Sequence, residues 1–363
     1  MISASLRQLR RWPAQLLLST TVLMPPTTRG PSGTSVADLA PARVTNDAAH
    51  HALIVEMPPV DLAASTPDHE VMATPPAYQV VIPATVSICN VHIEIVDGAG
   101  HTLPQTFLHH VNLNDPTRRD LFVPTELHIL AASKETPAVR IPSLVMGLPL
   151  DAGQRLVILA MLANPTSTAY SGVRVRVVLG YAPLGRVFPV FRVFPWVMDA
   201  MFPLGSRPRG SKAFDLPPGR SSRSWESSPA VPGYIVGCGG HVHDYAVGLE
   251  LSDATTGQVI WHQVPVRDAS GQVLSLPVVR FYRWYKLGVH IDPTHRYRIT
   301  VTYENPTDHV LHDAGMGAVA GLFIPDRGVT WPKVDTSNPI YQQDFADAVT
   351  PMDMSDMVMH GAH

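Results

Sequence analysis

The chain has 363 residues, 45% of them hydrophobic and only 16% charged, with 27 basic and 30 acidic side chains for a formal net charge of −3. That length buries a large core and suggests two or three domains. The lack of a dense basic stripe with interleaved aromatics excludes a nucleic-acid surface. The 35 prolines and 25 glycines disfavour long exposed helices and favour short strands joined by turns.

Arg7, Arg10 and Arg11 precede an apolar stretch through Leu16, Leu17, Leu18, Val22, Leu23 and Met24, which ends at Pro25-Pro26. A basic segment followed by an apolar one of this length reads as a signal for export to the periplasm or the outside of the cell, and is too short for a stable membrane span. Pro13 and the hydroxyl run Ser19 to Thr21 interrupt it, and no small-x-small cleavage site follows. A cytosolic leader is the alternative. From about 25 to 77 the chain is rich in Pro, Ala, Thr and Ser, with one apolar patch at Ala52-Leu53-Ile54-Val55, so 1–77 reads as leader and irregular linker.

From Tyr78 onward short β-rich runs take over, at 79–82, 91–96, 156–162, 173–179, 247–251, 259–261 and 297–303. Val173-Arg174-Val175-Arg176-Val177 and Tyr297-Arg298-Ile299-Thr300-Val301 alternate as half-buried antiparallel strands do. Asp151, Arg155 and Asn164-Pro165-Thr166 recur at the same spacing as Asp292, Arg296 and Asn305-Pro306-Thr307. Ile93 to Asp97 recurs loosely as Leu249 to Asp253. Two copies of one β-unit explain this. The expected fold is all-β, with sandwiches at 78–183 and 197–330, a Pro-rich connector at 184–196 and a tail at 331–363. Phe188, Phe191, Phe194, Trp196 and Phe202, in and around the connector, are expected to pack between the sandwiches. Cys89 and Cys238 allow at most one bridge, and the sequence does not show whether they meet.

Candidate chemistry centres on Gly239-Gly240-His241-Val242-His243-Asp244 and, about seventy residues later, Asp313-Ala314-Gly315-Met316-Gly317. On an extended strand both imidazoles of His-x-His point to one face. A thioether arriving from a distant strand would make the site soft and suited to copper. The alternative is a solvated histidine pair and a packed methionine. His109-His110 in the first unit could share an ion only if a bulge or loop turned one of them, since neighbouring strand residues face opposite ways. Asp244 could orient a ligand imidazole. His309 and His312, near Met316, could do the same or be loop histidines. Cys238 could act as a thiolate ligand if close, but the glycines after it point rather to backbone packing. No P-loop, G-x-S-x-G, H-E-x-x-H or dinucleotide fingerprint is present.

A His-His pair in a first β-domain, a His-x-His in a second and a late methionine resemble the copper type II, ascorbate-dependent monooxygenases, the family of the peptidylglycine α-hydroxylating and dopamine β-monooxygenases. The resemblance would span about 78–330 and rests on few positions. It implies two tandem antiparallel jelly-roll domains with one copper each. His241, His243 and Met316 would form the oxygen-activating site, His109 and His110 the electron-relay site, and the substrate would be a small molecule or peptide. The family's relay site takes a third histidine from a later strand, whereas the comparable stretch here, Val157 to Asn164, has none. Met161, or His128 or His92 if the fold brought them near, would have to substitute. Two cysteines cannot reproduce the family's disulfides.

The C-terminal run Met352 to His360 holds four methionines and a histidine in nine residues, and His363 ends the chain. Such Met-rich tracts resemble Cu(I)-handling segments. Their Asp content favours a solvated, unpacked tail. The functional expectation is therefore a copper-binding exported protein that could hydroxylate an organic substrate with dioxygen. A non-enzymatic copper store and a metal-free structural sandwich remain the alternatives.

Overall fold

Alternation sets the strand faces. In Tyr170–Tyr181, Val173, Val175 and Val177 are buried while Arg174 and Arg176 between them are half-exposed, so one face packs and the other meets water. The computed structural model describes residues 35–66, 71–134, 139–142, 145–183, 191–202, 213–268 and 272–349. The N-terminal arginines and apolar stretch, Phe188 and the Met-rich run from Met352 onward lie outside these residues.

The first unit is built from β1 (Ala52–Glu56), β2 (Val71–Ala73), β3 (Tyr78–Val81), β4 (Val86–Val96), β5 (Leu108–Arg119), β6 (Glu126–Ser133), β7 (Met146–Leu150), β8 (Arg155–Asn164) and β9 (Tyr170–Tyr181). One sheet runs β1-β9-β4-β7. The other runs β2-β8-β5-β6, with β3 also paired to β8. The second unit has β10 (Phe194–Asp199), β11 (Gly219–Ser227), β12 (Gly233–Val242), β13 (Ala246–Asp253), β14 (Val259–Gln263), β15 (Val279–Arg280), β16 (Val289–Ile291), β17 (Tyr297–Asn305) and β18 (Gly317–Pro325). Its sheets run β10-β18-β12-β15, with β16 also on β12, and β11-β17-β13-β14. The two units thus share one strand order. The fold is all-β, two antiparallel jelly-roll sandwiches in tandem.

The repeated Asn-Pro-Thr motif has the same geometry twice. Asn164 and Asn305 are buried at the ends of the equivalent strands β8 and β17. Each Oδ1 accepts the backbone N–H of the threonine two residues on (3.0 Å in both) and its hydroxyl (2.8 and 2.7 Å). Each Nδ2 donates to the carbonyl four residues on, Thr168 or His309, and to a carbonyl that precedes the paired strand β2 or β11, Ala63 or Leu216. The looser match does not survive. Ile93 to Asp97 ends β4, whose counterpart is β12, whereas Leu249 to Asp253 belongs to β13, the counterpart of β5.

Three boundaries differ from expectation. Part of the supposed linker is structural, because β1, which carries the Ala52-Leu53-Ile54-Val55 patch, pairs with β9 and buries Leu53 and Val55. Arg43–Asp47 pairs along the outer edge of β1 through backbone hydrogen bonds, which need no apolar pattern. The second sandwich begins at Phe194, inside the expected connector. The expected tail at 331–363 contains α1 (Pro339–Val349), whose Tyr341 and Phe345, one helical turn apart, pack with Val157 and Leu159 of β8, whereas the Met-rich run expected to stay unpacked lies outside the described residues. Averaging composition over the whole tail hid this short apolar stripe.

The units share packed surface. Leu121 and Phe122, between β5 and β6, join the second unit's core, where the Phe122 ring meets Trp196 edge-on at 5.4 Å. Trp331 stacks on Phe194 at 4.6 Å and donates its indole N–H to the Arg119 carbonyl at 2.8 Å. Met146 of β7 packs with Val236 and Ile324 of the second unit. Cys89 and Cys238 are unbridged, and burial pushes the Cys238 thiol up to about 12, so it stays protonated.

Candidate metal sites

His241 lies on β12 and His243 just beyond its end, while Met316 immediately precedes β18. These strands pair antiparallel, with His241 opposite Ala318 and Val242 opposite Gly317. Continued by one residue, this register sets His243 opposite Met316. Val242 is buried, whereas His241 is exposed and His243 and Met316 are half-buried, so the three candidates lie on the outward face. The His241 and His243 rings are 5.3 Å apart between centroids and nearly perpendicular, at 88°. Two imidazoles holding one ion at about 2.0 Å with a tetrahedral angle would place their centroids roughly 5 Å apart. The observed ring separation is compatible with that distance.

Tyr303 ties the two segments together. It sits on β17 of the facing sheet, fully buried. Its hydroxyl accepts the backbone N–H of His243 at 3.1 Å and of Met316 at 2.8 Å, and donates to the Met316 carbonyl. One phenol thus fixes the ends of β12 and β18 that carry the candidate residues to each other. Burial raises its pKa, so it remains a donor. Two glycines permit the close layering. A Cβ on Gly317 would stand 2.7 Å from the Val301 side chain, and one on Gly240 would stand 2.4 Å from Leu249 Cδ2. Backbone packing is therefore the reason for glycine here. Cys238 is buried in the second unit's core, while His241, an odd number of residues away, faces out.

Asp244 is otherwise engaged, since its Oδ1 accepts the Val273 backbone N–H at 2.7 Å. That bond ties Val273 to the residue after His243, and further along exposed Val278 lies against Gly239, two residues before His241 on β12. His309 pairs with Asp308 at 3.1 Å and His312 with Asp215 at 3.3 Å, so both histidines have carboxylates of their own.

In the first unit a β-bulge falls at the histidine pair. Across β5 and β8, His110 opposes Met161 and Leu108 opposes Leu162, leaving His109 as the extra residue. Leu108 and Val111 both enter the core, so His109 and His110 between them turn outward together. Their Nδ1 atoms are 3.1 Å apart and the ring centroids 5.3 Å. The nitrogen separation suits either a hydrogen bond between the rings or two ligands of one tetrahedral ion, for which about 3.3 Å is expected. Met161, buried, and Ser133 flank His110 on the neighbouring strands. His128 is not beside the pair. It opposes Asn114, four residues along β5, with Nδ1 3.8 Å from Asp120. His92 lies in the opposite sheet with Glu94. Among the described residues no three His, Cys, Asp or Glu side chains cluster to hold an ion. Each candidate site is instead two imidazoles with a methionine opposite one of them in strand register.

Sequence reading missed Tyr303, whose only signal was its place in an alternating strand. It named a bulge as the condition for His109 and His110 to face one way but could not place one, because a bulge has no signature in Phe107-Leu108-His109-His110.

No protein-family model and no curated protein matches this chain. Solved structures similar to it include PBCV-1 VP54 fitted into a reconstruction of the virophage Sputnik, at 9% identity over 77% of this chain and 96% of that one, with a TM-score of 0.29. The VP2 subviral particle of infectious bursal disease virus matches at 11% identity over 86% of this chain and 77% of that one, with a TM-score of 0.23. At these scores the likenesses carry no argument.

Proposed function

We propose that this protein binds copper through His241, His243 and Met316 and uses it to hydroxylate an organic substrate with dioxygen and a reductant. The observation that carries the reading is the Tyr303 hydroxyl, which holds the backbones of His243 and Met316 together where the strand register sets them opposite each other. Copper held there would supply one-electron chemistry, with the thioether favouring Cu(I) and imidazole serving both oxidation states. His241 and His243 bind on one side, Met316 opposes them across the ladder, and exposed Val278, against Gly239 two residues before His241, offers an apolar flank for the substrate. His109 and His110, with Met161 across the ladder from His110, form a second soft donor set in the first unit. Export of the protein is part of the same proposal.

Copper analysis of the reconstituted full chain tests the reading. His241→Ala with His243→Ala should remove about one equivalent, and Met316→Leu should weaken Cu(I) about tenfold or more while weakening Cu(II) less. Retention of full copper by the double variant would overturn it. Ascorbate-dependent oxygen uptake at full loading then separates an enzyme from a store, and its absence with every candidate substrate favours the store.

A further inference from the structure

The hairpin after β15 ends in Arg283-Trp284-Tyr285-Lys286. Arg283 and Lys286 exchange backbone hydrogen bonds of 2.7 and 3.1 Å, which leaves Trp284 and Tyr285 as a two-residue tip. Trp284 is 96% exposed and Tyr285 70%, their rings meeting edge-on at 5.3 Å. The base of the hairpin is fixed. Val279 and Arg280 pair with Cys238 and Gly237 of β12, the Phe281 N–H binds the Val236 carbonyl at 2.9 Å, and Tyr282 and Leu287 pack against Val236 and Ile324. The aromatics are therefore held out from the body of the second unit on a braced support.

Along the chain, the charge of this segment has one sign. Between Asp268 and Asp292 the sequence has no acidic residue, while Arg280, Arg283 and Lys286 are all exposed, in a chain whose formal net charge is −3. A stable protein interface needs about 800 Å² from each partner, which a two-residue tip does not offer. A bilayer surface takes just such a shape, with Trp and Tyr rings at headgroup level and cations beside them at the lipid phosphates. We propose that this hairpin docks the protein on an anionic lipid surface, with Trp284 and Tyr285 inserted among the headgroups and Arg280, Arg283 and Lys286 against their phosphates. Nothing in this depends on copper.

Sedimentation of the full chain with vesicles tests it, using phosphatidylcholine alone and phosphatidylcholine mixed with phosphatidylglycerol. Wild type should bind the mixed vesicles about tenfold or more tightly than the neutral ones and should lose the preference in high salt. Trp284→Ala with Tyr285→Ala should lower binding at least about tenfold, with thermal unfolding unchanged because both side chains lie outside the core. Arg280→Gln with Lys286→Gln should abolish the preference while leaving Arg283, which braces the hairpin carbonyls of Arg280 and Tyr282, in place. Equal binding by wild type and the aromatic double variant overturns the proposal, as does failure of wild type to bind either vesicle. A wild-type dimer that the aromatic variant converts to monomer without any vesicle binding would assign the tip to a second copy instead, and overturns it too.

Discussion

At the scale of single residues, Tyr303 and Glu126 carry the most weight. Tyr303→Phe leaves two partly buried backbone N–H groups, of His243 and Met316, without their acceptor. The expected cost is about 1–3 kcal/mol in chemical denaturation. Because the change touches no proposed ligand atom, it should also weaken copper binding severalfold through loss of alignment, and unchanged stability and affinity together would refute the clamp. Glu126 is buried on β6, and burial, reinforced by the Asp344 charge on α1 and opposed by His128, pushes its carboxyl up to about 7. Its Oε1 accepts from Asn114 Nδ2 at 3.2 Å, while Oε2 finds no hydrogen-bond partner among the described residues. A carboxyl whose pKa is raised on folding favours the folded state below its unfolded value and loses that contribution as pH rises through the folded one. Wild type should therefore lose stability relative to Glu126→Gln between about pH 4.5 and 7, by up to roughly 3 kcal/mol. Parallel melting curves with pH for the two proteins would refute the assignment.

At the scale of elements, the sites depend on departures from strand regularity. The His109-His110 pair became a candidate only through the bulge in β5, since an unbroken strand would send one ring inward. Deleting His109 restores one-to-one pairing, so His110 should keep its place opposite Met161 while the shared Nδ1 geometry disappears. Any copper bound in the first unit should then be lost, with the His241 site unaffected, and metal analysis of the deletion variant reads this directly. The alternating runs at 173–179 and 297–303 were legible in the sequence because inward valines and isoleucines are spaced by two. Edge strand Arg43–Asp47 was not, because its place is set by backbone pairing to β1. Helix α1 was obscured because only two of its residues are deeply buried, within an otherwise polar and acidic tail.

At the scale of the molecule, the two jelly rolls are joined by side chains that each contributes to the other. Phe122 belongs to the first unit by sequence and to the second unit's core by packing. Phe122→Ala should cost about 3–5 kcal/mol and make the second unit unfold ahead of the first. Calorimetry should show two transitions where wild type shows one, and a single unshifted transition would refute the coupling. The sequence by itself determined the β class, the doubling of the fold through Asn164 and Asn305, and the shared face of His241 and His243, because strand period and turn chemistry are local. Only the tertiary structure decided that Met316 lies across from His243, that a bulge turns His109 and His110 to one side, and that a buried tyrosine joins the strand ends. Those facts depend on register and packing between strands that are not neighbours in sequence, and cross-strand pairing leaves no local periodicity to read.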